Sequence, residues 1–243
     1  YSCARADGAS PKNILQSISM TAQLFTSLFA DGAMGQTQSM SDEQKARRLN
    51  FLRSQKIEAL SPVMLTSAHG NEIALVTEDD AGTVIENIDG FITDCPRLPL
   101  VVTHQDCVPV LVTDDRNVVA LLHAGWRGVV VGILPNAILL AAEEFGVPAS
   151  KLRVHLGPGI QPCHFTVSDD LAEQFPSSAR IGDAIDLHAV LRQQAENLGV
   201  PSSAITVDNR CAVCTENDSH PVFASWRRDK VAENNMISVA MLN

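Results

Sequence analysis

Three residues of this chain could do chemistry together: His69, Cys107 and His123. Each sits at one end of an apolar run. Cys107 opens the run Val108–Val112, His123 closes Val118–His123, and His69 follows Val63–Thr66 and precedes Gly70. Two imidazoles and a thiolate are three nitrogen and sulfur ligands. That count suits Zn²⁺ with an open fourth position, the arrangement of a catalytic rather than a structural site. Water held in such a site has a pKa of about 7. The same residues also suit a second chemistry, in which Cys107 is a nucleophile and His123 its base. A third reading makes Cys107 a small buried hydrophobe. Residue types and spacing leave these open.

The elements around these residues give them a common place. Cys107 to Thr113 and Val118 to His123 flank a polar turn, Thr113-Asp114-Asp115-Arg116 with Asn117 nearby, and are predicted to form a hairpin. In an antiparallel pair the first residue of one strand lies near the last of its partner. Cys107 and His123 are therefore expected at one open end, away from the turn. Further strands are predicted at Val63–Thr66, Glu72–Val76, Gly90–Thr93, Leu98–Thr103, Lys151–Leu156, Ala184–Leu187, Ala204–Val207, Val222–Ser225 and Ile237–Met241. Ser41-Asp42-Glu43-Gln44 reads as a capping box opening a helix to about Arg53. A long helix is expected from Arg127 to Phe145, kinked at Pro135 and stopped by Gly146. Shorter helices are expected at Ser168–Gln174 and His188–Leu198. Strands outnumber helices without a clean alternation, which implies α+β with mixed sheets and helices on the outer faces.

Other motifs are weaker. Cys211-Ala212-Val213-Cys214 is a lone CxxC, which without a second pair reads as ordinary loop thiols. His220 reads as a surface residue and His155 as core. His104 is expected to alternate away from Cys107. The glycines of Gly157-Pro158-Gly159 would let backbone approach a ligand closely. Arg5, Arg127 and Arg227 are candidate anion-binding guanidiniums. Arg127 follows His123 by four residues at an expected helix start, and Trp126 and Trp226 each precede an arginine.

Bulk properties narrow the classes. With 243 residues, 45% of them hydrophobic and 19% charged, the chain can bury a sizeable core. No linker or repeat divides it, so one domain spanning 1–243 is expected. Net charge is −10 and no basic stripe could track a phosphate backbone, so no nucleic-acid partner is expected. The longest apolar run, Val129 to Ala142, is too short for a membrane span. Six scattered cysteines without a visible signal peptide point to reduced thiols and a cytoplasmic location.

Four stretches carry a resemblance: "HAGWRG", "DCVPVLV", "GPGIQPCHF" and "FASWRRD". With "DGFITDCPRLPLVVTHQDCVPVL" and "IDLHAVLRQQAENLGV" they make the chain similar, over nearly its whole length, to the YfiH family. That family is also called laccase-domain or polyphenol-oxidase-like. The resemblance implies an α+β fold of mixed sheets sandwiched between outer helices. It implies a metal on His69, Cys107 and His123, with zinc expected and copper as the alternative. It implies a purine nucleoside phosphorylase acting on adenosine, inosine, guanosine or methylthioadenosine with phosphate as co-substrate, or an adenosine deaminase. A role in peptidoglycan-precursor editing has also been proposed for the family. In phosphorolysis Arg5 and Arg127 would hold phosphate, with Arg227 as a further candidate. In deamination Asp106 would shuttle protons beside Cys107 and His123.

The chain departs from the family pattern at several points. His104-Gln105 stands where the family has Thr-Ala, Gln161 replaces a glycine, Phe165 replaces a tyrosine, and "YSCARADGAS" is a degraded form of the N-terminal motif. The metal trio survives; the substrate range is what these changes put in question. A multicopper laccase is disfavoured by composition: seven histidines, none in a His-x-His pair, cannot build a blue-copper site with a trinuclear cluster.

Overall fold

Along the hairpin β7 (Val108–Thr113) and β8 (Val119–Ala124) alternate side chains go to opposite faces, and both faces are buried. The computed structural model describes residues 22–57 and 61–242. The register pairs Val108 with Ala124 and Pro109 with His123. Val108, Val110, Val112, Ala120, Leu122 and Ala124 join one core, whereas Leu111, Val119 and Leu121 join another. Each fully buried Val or Leu among them contributes about 1.5–3 kcal/mol. The register is therefore strongly specified, because a one-residue slip would turn His123 to the opposite face.

Two mixed sheets meet across that second core. The six-stranded sheet runs β12 (Ile205–Val207), β9 (Arg153–Leu156), β7, β8, β5 (Gly90–Thr93), β3 (Ile73–Leu75). The five-stranded sheet runs β1 (Ala22–Thr26), β15 (Met236–Leu242), β6 (Leu100–His104), β2 (Val63–Thr66), β4 (Val84–Glu86). Val63, Leu65, Leu100, Val102 and Leu242 supply its half of the shared core. Outside the larger sheet lie α3 (Ile133–Phe145) and α5 (Leu187–Asn197), which bury Leu134, Ile138, Val190 and Leu191 against it. Outside the smaller one lies α1 (Asp42–Ser54), packing Phe51 and Leu52 on Val101, Ile237 and Val239. Sheets between outer helices are thus the architecture the residue pattern implied.

The capping box expected at Ser41 is present, with Ser41 and Gln44 exchanging side-chain and backbone bonds. Buried Arg48 donates to the carbonyls of Met34 and Gly35, fixing the loop that carries Gln36 and Gln38. Two short ribbons, β10 (Arg180–Ile181) with β11 (Ala184–Ile185) and β13 (Glu216–Asn217) with β14 (His220–Pro221), lie in the connections.

Several elements differ from expectation. The long helix is two: α2 (Trp126–Val130) and α3, separated at Gly132, whose φ of 84° is left-handed. That conformation costs a glycine little and most residues a good deal. Pro135 is the third residue of α3, where its missing amide hydrogen has no intrahelical acceptor to lose, so no kink results. Val222–Ser225 is not a strand; Phe223 and Ala224 fill a small core with Ala212 and Met236 ahead of α6 (Trp226–Asp229). The helix expected at Ser168–Gln174 shortens to α4 (Asp169–Ala172). Strands β1 and β4 were not foreseen, because the first lies in the least patterned part of the chain and the second is largely exposed.

Candidate active site and metal centre

All three candidate ligands come from strand ends at one mouth of the two-sheet core. β2 leads into Ser67 and His69, β6 ends at His104, Cys107 precedes β7, and His123 is near the end of β8. Within the sheet, His123 follows Val119 and Leu121 on the face that meets the other sheet. The ligand atoms of His69, Cys107 and His123 lie within 4.8 Å of one another. The imidazoles stand nearly perpendicular, 84° between planes with centroids 5.0 Å apart. His123 is buried, Cys107 half-buried and His69 exposed, so the cluster opens outward on the His69 side.

The local backbone fits this cluster to a cation. A Cβ on Gly125 would come within 3.0 Å of the His69 ring and 3.2 Å of Cys107 Sγ. His69 and Asp106 both adopt left-handed backbone, φ 59° and 62°, unusual for residues with side chains. Such strain collects where the surrounding structure holds a functional geometry.

Asp89 supplies that hold, a residue whose type and spacing do not mark it in the sequence. It is fully buried just before β5. Its carboxylate accepts from the Ser67 hydroxyl, from the amides of His69 (3.0 Å) and Gly70 (2.7 Å), and from His123 Nδ1 (2.9 Å). Burial alone would push this carboxyl up; the donors from His123, Ser67 and Gly70 outweigh it and hold it below its ordinary value. One carboxylate thus fixes both the loop bearing His69 and the ring of His123. With Nδ1–H donated to Asp89, His123 turns Nε2 toward Cys107. A carboxylate behind a ligating histidine is a recurrent device for orienting metal ligands. The only sequence signal was an Asp-Gly step ahead of an apolar strand.

Electrostatics single out the same pair. Burial disfavours a Cys107 thiolate, but the charge of His123 and hydrogen bonds from His123 and His69 overcome it and bring the thiol down to about 6. Burial likewise opposes charge on His123, and the Cys107 thiolate and Asp89 raise it to about 10. Without a cation the site is a thiolate–imidazolium pair. His104, expected to face away, lines the same cleft from the end of β6. It lies 2.9 Å from Ser238 through Nε2, and burial, then the charge of His123, lowers it to about 3. It is neutral.

The cluster sits in a cleft of ≈ 540 Å³. Arg127 and Arg227 both line it, each beside an aromatic face: Arg127 lies 4.3 Å over Trp126, and Arg227 lies 5.8 Å from the ring centre of Phe165. Arg227 also donates to the carbonyl of His164 at 2.8 Å. Arg5 falls outside the described residues. Asp106 lines the cleft and accepts from the Ser225 hydroxyl and the Arg227 amide, both at 2.7 Å. Burial raises its pKa above the ordinary carboxylate value against the pull of those bonds and of Arg227 and Arg228. The glycines of Gly157-Pro158-Gly159 approach protein rather than an open cavity: a Cβ on Gly157 would meet Pro109, and one on Gly159 would meet Val108 and the Asp106 carbonyl.

The family model described as multi-copper polyphenol oxidoreductase laccase matches residues 26–243. Purine nucleoside phosphorylase YlmD of Geobacillus stearothermophilus is 32% identical over 196 residues, covering 72% of this chain and 70% of that protein. A protein named adenosine deaminase RL5, from an unknown prokaryotic organism, is 28% identical over 186 residues, covering 68% and 69%. The crystal structure of the hypothetical protein YfiH from Bacillus licheniformis superposes with a TM-score of 0.74 at 27% identity, covering 82% of this chain and 80% of that one.

Proposed function

The chain belongs to the family described as multi-copper polyphenol oxidoreductase laccase, and from that premise we propose that it is a zinc-dependent purine nucleoside phosphorylase with adenosine deaminase activity. The supporting observation is that one cleft holds a three-ligand Cys/His cluster and two guanidiniums. A relative named purine nucleoside phosphorylase supports phosphorolysis, and one named adenosine deaminase supports the second reaction.

His69, Cys107 and His123 would hold the metal. When bound it supplies a Lewis acid, and the mixed thiolate and imidazole donors favour zinc over harder ions. Asp89 keeps His123 in the tautomer that leaves Nε2 available. In phosphorolysis a phosphate oxygen forms a bond to the anomeric carbon while the bond to purine N9 breaks. The departing base takes the electron pair, and the proton it gains balances the one that hydrogen phosphate gives up on becoming the sugar phosphate ester. Arg127 and Arg227, with Arg5 as a third candidate, hold phosphate for that displacement through charge-assisted bonds. Trp126 and Phe165 offer aromatic faces to the base.

Deamination has its own support in Asp106. A carboxyl whose pKa burial raises above the ordinary carboxylate value, at the wall of the cleft, is placed to pass a proton to a leaving amine. We read the enzyme as cytoplasmic, where its thiols stay reduced. No helix among the described residues is long and apolar enough to cross a membrane.

The decisive test combines elemental analysis of the purified protein with incubation on adenosine and inosine, with and without phosphate. Phosphate-dependent ribose 1-phosphate and free base establish phosphorolysis, and inosine from adenosine establishes deamination. Activity that resists chelators but dies on thiol alkylation would instead favour a Cys107–His123 hydrolase. Absence of turnover by metal-loaded protein would overturn the enzymatic reading.

A further inference from the structure

The lone CxxC acquires partners in the fold. Cys211 and Cys214 meet Cys163 and His164, and one ligand atom from each of the four lies within 4.8 Å of the others. Cys163 Sγ is 3.9 Å from Cys214 Sγ and 3.3 Å from His164 Nδ1, and Cys211 Sγ is 3.7 Å from the same nitrogen. These spacings are close to the edges of a tetrahedron of zinc ligands. With Zn–S of about 2.3 Å and Zn–N of about 2.0–2.1 Å, tetrahedral geometry puts sulfur atoms about 3.8 Å apart and nitrogen about 3.6 Å from sulfur. A disulfide would need about 2.05 Å. The geometry points to a second metal site, a closed Cys₃His centre for Zn²⁺ separate from the His69–Cys107–His123 cluster.

Its chemistry differs from that of the first cluster. Four protein ligands, three of them thiolates, fill the coordination sphere of zinc and leave no position for substrate, so the ion is structural. The ligands come from two loops without regular secondary structure. One follows β9 and carries Cys163 and His164; the other follows β12 and carries the CxxC. The loops run side by side, with Gly159 bridged to Cys211 and the Ala212 amide donating to the Gly159 carbonyl at 2.9 Å. Cys211 is buried in the large core, with Cys163 and Cys214 packed against it. Ligation releases thiol protons to solvent and joins the loops by bonds that the unfolded chain lacks, so the ion contributes to folding.

The centre also braces the cleft. The Ile160 amide donates to the Asp106 carbonyl at 2.7 Å, next to Cys107, and the His164 carbonyl receives Arg227. Both walls of the catalytic cluster thus lean on the loop that the second ion would fix. This inference does not depend on which nucleoside reaction the cleft performs.

Zinc per chain in the full-length protein, purified under reducing conditions, tests it. Wild type is expected to hold two ions, and Cys107→Ser and Cys214→Ser one each. Cys107→Ser refilled with Co²⁺ is expected to show the thiolate charge-transfer and strong visible bands of a tetrahedral multi-thiolate site. Should Cys214→Ser fail to fold, the wild-type stoichiometry and the Cys107→Ser cobalt spectrum still decide. A single ion in wild type, with none in Cys107→Ser and no cobalt bands, overturns the proposal. So does a Cys163–Cys214 disulfide found by mass spectrometry of the freshly isolated, alkylated chain.

Discussion

His123 Nδ1 lies 2.9 Å from Asp89 Oδ1, and the two side chains are only 4% and 0% exposed. The same carboxylate receives the amides of the loop that presents His69. Two of the three proposed metal ligands therefore depend on one residue that touches no metal. Asp89→Asn keeps the shape, but whichever way the amide is turned its NH₂ meets a backbone N–H that can only donate, that of His69 on one side or Gly70 on the other. Metal affinity should fall about 10–100-fold, the usual effect of losing an orienting carboxylate. Competition against a chromophoric chelator measures this, and wild-type affinity in the variant would refute the orienting role.

The hairpin that carries Cys107 and His123 could be read in the sequence because strict alternation flanks a polar turn, and antiparallel geometry then brings the ends together. His69 could be read because it follows an apolar run directly. Asp89 could not, since a carboxylate before a glycine looks like any turn residue until β5 buries it. The α2–α3 break was hidden because Gly132 sits inside a run whose apolar periodicity continues on both sides. The Cys₃His group was hidden for a similar reason. Cys163 and Cys211 are 48 residues apart along the chain, and two unpatterned loops meet in space where no local signal marks them.

Cys107 at about 6 and His123 at about 10 imply a pH signature for metal-free protein. The thiol's folded value is depressed, so its stabilising contribution is complete above its unfolded value of 9.0 and lost as pH falls through about 6. The imidazole's is raised, so its contribution is complete below 6.5 and lost as pH rises through about 10. Between 6.5 and 9.0 the slopes oppose: folding moves a proton from thiol to imidazole without net uptake. Stability from this pair should therefore be nearly flat there. Reactivity should not follow the ordinary thiol: alkylation of Cys107 in the metal-free enzyme should level off above about pH 7. Peptide-resolved alkylation rates measure it, and a midpoint near 9 would contradict the ion pair.

Arg227 and Arg127 should separate phosphate from nucleoside binding. Loss of a hydrogen bond to a charged group costs about 1.5–3 kcal/mol, or roughly a 10–150-fold rise in the KM for phosphate. Arg227→Ala should show that rise with the nucleoside KM little changed. Arg227→Lys should restore only part of it, because an ammonium cannot reproduce a planar fork anchored on the His164 carbonyl. Steady-state kinetics with each substrate varied in turn would expose the error if the nucleoside KM moved instead.

Asp106→Asn distinguishes the two reactions. The amide oxygen can still accept from the Arg227 amide, and the Ser225 hydroxyl can rotate to accept from the new NH₂, so the fold should survive. The exchangeable proton is lost. Inosine formation from adenosine should fall about 10²–10⁴-fold, the usual contribution of general acid–base catalysis, while phosphorolysis of inosine falls far less. Equal losses in both activities would reduce Asp106 to a positioning residue for Arg227.

Gly125→Ala tests the metal cluster by space alone. Gly125 has φ −71° and ψ 161°, a conformation alanine adopts without strain. Its new Cβ would nevertheless lie 3.0 Å from the His69 ring and 3.2 Å from Cys107 Sγ. His69 is exposed and can yield, whereas Cys107 is held by the start of β7. The ligands should therefore be pushed out of a common coordination sphere while the sheets stay intact. Metal content at this site and nucleoside turnover should drop together, with the melting temperature of chelator-treated protein close to that of equally treated wild type. A variant that keeps its metal at full affinity would show that His69 and Cys107 do not share a cation beside this glycine.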